Sequence, residues 1–177
     1  MRSISTLLLL LLSSVSALAQ NPVAPEKLSL AKSIWEPSFR EVKYSDLIEA
    51  YDAYRAAKGI STPRAIPSQE RFEMSKELVY ETLAEVLTES DLELQRRMFQ
   101  TAVGARTLSN VARVIGGLPA LPIAQDQFTQ AQWTEWETFV FTNSAHMGEM
   151  QKRMSAFPQT LAAKSARLPP LVPDDKK

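Results

Sequence analysis

The stretch 68–118, SQERFEMSKELVYETLAEVLTESDLELQRRMFQTAVGARTLSNVARVIGGL, decides the fold, because it is the longest proline-free run in a chain of 177 residues. Proline has no amide hydrogen and its ring clashes with the preceding turn, so helix interiors tend to exclude it. Within the stretch Phe72, Val79, Leu83 and Val86 share one stripe. Leu94, Met98, Ala102, Ala105, Leu108, Ala112 and Ile115 share another, at helical spacing. Ser68 after Pro67 reads as an opening cap, Ser90-Asp91-Leu92-Glu93 as a capping box, and Gly116-Gly117 as a stop. The stretch therefore predicts two helices, the second running over about 91–115.

Two further proline-free windows lie outside it, 38–62 and 123–157. In the first, Tyr44, Leu47, Ile48, Tyr51 and Tyr54 recur at three- and four-residue steps, with Ser45 placed to cap the start and Gly59 the end. That spacing predicts a helix over about 45–58. In the second, Thr129 and Gln132 form a capping box, and Phe128 and Trp133 stand at the spacing of a hydrophobic staple. The helix is expected to reach about Ala156, where Phe157-Pro158 halts or bends it.

Upstream, residues 20–40 carry Leu28, Leu30, Ile34 and Trp35, enough for a short docking helix. Residues 167–177 are proline-rich and end Asp-Asp-Lys-Lys, the composition of a disordered or extended tail. No internal repeat and no strand pair is evident. The expected fold is all-α, a bundle of four to five helices over residues 41–166.

The first residues have the pattern of a secretory signal peptide. Met1-Arg2 brings a positive charge, Leu7 to Leu12 an apolar run, and Ala17-Leu18-Ala19 a small-x-small site. The apolar run falls short of the roughly 20 residues that cross a bilayer. Cleavage is expected after Ala19, which directs the chain to the periplasm or the exterior of a bacterial cell without a transmembrane anchor. No cysteine follows that could carry a lipid, and no Asn-x-Ser/Thr sequon is present.

Composition narrows the chemistry. The chain has Lys+Arg 20, Asp+Glu 20, one histidine and no cysteine. It can form neither disulfides nor thiolate metal sites. Balanced charge argues against a nucleic-acid binder. No phosphate-binding glycine loop, nucleophile elbow or haem-attachment motif occurs, so no cofactor or metal is indicated.

His146 is the only imidazole, and any histidine-based acid–base scheme runs through it. It falls at the edge of the apolar stripe, with Glu149 three residues on as the expected partner. Trp133, Trp136, Met147, Met150 and Met154 share a broad face that can serve as core or as an adaptable contact groove. Asn143 falls inside that stripe, where an amide fixes helix register or touches a ligand. Phe141 points to the opposite side beside Thr138, Ala145 and Gly148, as a contact for a second helix or subunit would. Gly104 and Gly148 within helices suggest close backbone approach or a kink. The glutamates at 70, 73, 77, 81 and 85 alternate with Arg71 and Lys76, which describes a solvated face.

Phe128-Thr129-Gln130-Ala131-Gln132, followed by Phe141, Ser144 and Gly148, resembles the C-terminal motif of the domain of unknown function 2059 family, small exported bacterial helical proteins. The same Phe-Thr-x-x-Gln stretch resembles an element of periplasmic stress chaperones of the Spy and CpxP type. Either resemblance implies an exported helical protein without a known active site. The expected function is non-catalytic binding of another envelope or secreted protein. The alternatives are a chaperone-like stress role and a hydrolase using glutamate and His146.

Overall fold

The computed structural model describes residues 23–60 and 65–173; the signal-peptide reading of residues 1–19 lies outside them. The described chain is predominantly helical, with α1 (Pro25–Arg40), α2 (Tyr44–Lys58), α3 (Gln69–Val86), α4 (Glu89–Gln100), α5 (Ala102–Ile115), α6 (Gln130–Met154) and α7 (Phe157–Ser165). Two-residue strands β1 (Ala65–Ile66) and β2 (Val172–Pro173) pair antiparallel, Ala65 opposite Pro173. The all-α expectation holds. The helices number seven among the described residues rather than four or five, because Thr101 divides the helix expected over 91–115 and Phe157-Pro158 opens a helix of its own.

The core forms where α1 crosses α3, α4 and α5. Ala31, Ile34, Trp35 and Phe39 of α1 are buried there with Val79, Leu83, Leu92, Leu108 and Ala112. The segment 20–40 thus supplies a central helix, not a short one docked on a finished bundle. Pro37 lies inside α1 at an exposed position, so its ring faces solvent. Trp35 is 1% exposed, and its indole N–H donates to Gln95 Oε1 at 2.8 Å. Its ring meets Phe99 edge to face at 6.0 Å. Apolar burial and one satisfied polar atom therefore fix the indole together.

The helix boundaries follow from side-chain caps. Ser68 accepts from the Arg71 amide as expected. The next box is Thr88 with Asp91, two residues earlier than Ser90 with Glu93. Thr101 donates to the Met98 carbonyl and accepts from the Gly104 amide, ending α4 and opening α5 with one hydroxyl. A Cβ at Gly104 would stand 2.3 Å from the Met98 carbonyl oxygen, so only glycine fits where the chain folds back on itself. Close backbone approach is borne out here. Gly148 differs, since nothing lies within 4 Å of a Cβ built there.

Gly59 caps α2 in the left-handed conformation, but Lys43, not Ser45, is its first cap, and Ser45 bonds to Asp46 instead. The tyrosine stripe of α2 divides: Tyr44 and Leu47 pack on the core half-buried, whereas Tyr51 and Tyr54 are exposed, and no residue of this helix is fully buried. After α5, buried Asn110 donates to the Leu121 carbonyl at 2.8 Å and accepts from the Leu121 amide at 2.9 Å, pinning the proline-rich loop. α7 lies on α3, where buried Lys164 bonds Glu85 at 2.8 Å. The start of the expected tail is tied down as far as Pro173 by the Arg71 bond to the Pro169 carbonyl and by β2.

Candidate functional site

The Thr129/Gln132 box opens α6, the longest helix, with Thr129 Oγ1 accepting from the Gln132 amide and Gln132 Oε1 from the Thr129 amide. The staple beside it is formed: Phe128 and Trp133 meet edge to face at 5.8 Å. Although it spans 25 residues, α6 buries none of them fully. It lies against α4 and α5 and presents two faces of different character.

The inner face carries the tryptophans and methionines. Trp136, Met147, Met150 and Met154 are half-buried and pack on the core. Trp136 stacks on Phe139 at 5.9 Å. Trp133 is also half-buried, and its indole N–H donates to the Gln125 carbonyl at 3.0 Å. Asn143 donates to the Phe139 carbonyl one turn back and accepts from Arg97 of α4 at 3.3 Å. These residues attach α6 through partial burial plus polar bonds.

The strongest attachment is at Asp91. As the third residue of α4 it caps the Thr88 amide at 2.8 Å, and its side chain is fully buried. Arg153 grips it with two bonds of 2.7 Å, Nε to Oδ2 and Nη2 to Oδ1. His146 Nε2 lies 2.9 Å from Oδ1, and the Thr88 hydroxyl 2.7 Å from Oδ2. The expected His146–Glu149 pair is replaced by this long-range one, while Glu149 bonds Lys152 at 2.6 Å. Helical neighbours three residues apart can pair, but a buried carboxylate needs donors far more than an exposed one does. His146 is nonetheless a boundary residue, its side chain 29% exposed.

Burial pushes the Asp91 carboxyl up; the Arg153 guanidinium, then the Thr88 amide and hydroxyl and His146, outweigh it and hold the pKa well below the usual carboxylate range. Five donor contacts surround two oxygens with about four lone-pair directions. The carboxylate is saturated, so this cluster locks two helices rather than offering an open base.

The outer face of α6 is open. Phe141 stands 85% exposed, the most exposed of the large apolar side chains among the described residues. Thr134, Glu137, Thr138, Ser144, Ala145, Gly148 and Lys152 around it are exposed too.

Hollows lie elsewhere among the described residues. One of about 210 Å³ opens between α3, α5 and α7, lined by Phe39, Phe72, Val79, Ile115 and Leu161. A shallower one of about 140 Å³ is lined by charged groups including Lys32, Glu73 and Lys76. In it Tyr80 has a raised pKa, through burial first and then the Glu77, Glu36 and Glu73 charges. Neither is lined by His146 or Glu149. Among the described residues no group of three or more His, Asp or Glu is arranged to hold a metal ion. No described helix is long and apolar enough to cross a membrane.

Asp91 and Arg153 escaped the reading of the sequence. They stand 62 residues apart, and neither carries a local signal beyond the Thr88-x-x-Asp91 spacing. No family model matches the chain, and no curated protein or solved structure matches it either.

Proposed function

We propose that this chain is an exported bacterial helical protein that works by binding another protein through the outer face of α6, without catalysis. One observation carries the reading: Phe141 is 85% exposed at the middle of the longest helix, where its own fold gives it no use. Burying an aromatic of this size contributes about 2–3 kcal/mol, and aromatic anchors ringed by polar residues dominate many protein contacts. Trp136, Met147, Met150 and Met154, first considered for contact, support that face from behind by packing on the core.

What weighs against a hydrolase built on His146 is the state of its partner. Asp91 has its oxygens taken by Arg153 and Thr88 as well as by His146, and neither hollow is lined by His146 or Glu149. A general base needs a path to substrate, and this cluster is closed by its own donors.

The test uses a photo-crosslinking residue at Ala145, on the same face as Phe141. A discrete product of higher mass from the exported protein, lost on Phe141→Lys, is expected. No product, or one indifferent to Phe141→Lys, overturns the binding reading. N-terminal sequencing of the exported form is expected to begin at Gln20; a mature chain retaining Met1 contradicts the leader.

A further inference from the structure

The outer face of α6 has an internal order that points to its partner. Thr134, Phe141, Gly148 and the C-cap residue Ser155, whose backbone keeps the helical conformation, recur at steps of seven, so they line one straight seam, drifting only about 20° per step. All four are exposed. Glycine inside a helix weakens it relative to alanine by about 1 kcal/mol, and one use that offsets this cost is close approach of another chain to the backbone. Gly148 has no such contact within its own chain, where a Cβ would meet only open space. The bulkiest exposed side chain and the missing side chain therefore sit one heptad apart on one seam.

We infer that the partner is a second copy of this chain, docked so that the two α6 helices run antiparallel about a two-fold axis passing between Ser144 and Ala145. This rests on the binding reading of that face and names its occupant. Such an axis places Phe141 of each copy over Gly148 of the other, and Thr134 over Ser155. The seam thus maps onto itself, as an isologous contact requires, with each large residue received by a small one. The same register puts exposed Glu137 opposite exposed Lys152 of the other copy. Lys152 already bonds Glu149, three residues back on its own helix, so each basic group would bridge two carboxylates. Charge and shape select the same register independently. A parallel pairing would set Phe141 against Phe141 and Glu137 against Glu137.

The chain has no cysteine, which makes disulfide trapping direct. Ala145→Cys places a thiol beside the axis and is expected to give a disulfide-linked homodimer of the full chain under mild oxidation in cells. Thr142→Cys, also exposed but about 100° around the helix from Phe141 and off the seam, is expected to stay monomeric. Gly148→Gln fills the receiving hollow and should abolish the Ala145→Cys dimer, with helical content unchanged by circular dichroism. Glu137→Lys should lower its yield about fivefold, and the pair Glu137→Lys with Lys152→Glu should restore it.

Equal linkage at positions 142 and 145, or no dimer at 145, overturns the antiparallel pairing. Failure of the charge swap to restore the dimer overturns the register. A product at 145 joined only to a different protein overturns the second-copy partner while leaving the binding reading standing. Absence of any product contradicts both.

Discussion

α1 and α6 are held to the same bundle by opposite means. α1 has 16 residues and buries Ala31, Ile34, Trp35, Ser38 and Phe39; α6 has 25 and buries none fully. α1 is fixed mainly by non-directional apolar packing, to which the Trp35–Gln95 bond and the exposed Lys32–Glu77 ion pair are added. α6 is fixed by a terminal box, half-buried Trp and Met side chains, and one saturated carboxylate. A long helix is thus attached along one side by polar locks and half-buried side chains, which leaves its other side free for a partner.

A substitution in α1 should cost the fold the most. Trp35→Ala empties the core and orphans Gln95, and should destabilise the whole domain by about 3–5 kcal/mol in chemical denaturation. All probes should move together. On the α6 side, Asp91→Ala removes the box of α4 and strands Arg153 and His146, at a cost of about 3 kcal/mol. Here the fluorescence of Trp133 and Trp136 in a Trp35→Phe background should report loss of α6 before the far-ultraviolet signal collapses. Coincident transitions would mean that α6 is no less integrated than α1.

Thr129→Ala deletes the hydroxyl that caps α6 and should cost about 1 kcal/mol, felt mostly as fraying near Trp133. Gly148→Ala should stabilise the dilute monomer by up to about 1 kcal/mol, because the new methyl group meets open space. Destabilisation by that change would reveal a contact within the chain at Gly148.

How much of this was legible follows from the range of each interaction. Caps act over three residues, so the Ser68 and Thr129 boundaries and the Phe128–Trp133 staple could be read directly. The box at Thr88 was misplaced because Thr88-Glu89-Ser90-Asp91 and Ser90-Asp91-Leu92-Glu93 overlap, and both satisfy the rule. Thr101 was missed because its hydroxyl interrupts an apolar stripe that continues in phase from Met98 to Leu108. Periodicity could say that Tyr51 and Tyr54 share a face with Leu47, but not that this end of the stripe runs out past the core. The same limit hid Asp91: spacing revealed His146 as a boundary residue, while its partner lay on another helix 55 residues away.

The attachment of α6 through Asp91 carries a definite pH signature. A carboxyl whose pKa is lowered on folding stabilises the fold above its unfolded value of about 3.9, and that contribution fades as the pH falls below it toward the folded value. The most direct measurement is hydrogen-exchange protection of α6 and α1 amides, compared between the native chain and Asp91→Asn from pH 7 to pH 3. α6 should be less protected than α1 throughout, and Asp91→Asn should lower α6 protection strongly at pH 7, with the gap between the two proteins narrowing below about pH 4. Equal protection of α6 and α1, or an Asp91→Asn chain whose α6 exchanges like the native one at pH 7, contradicts the polar lock.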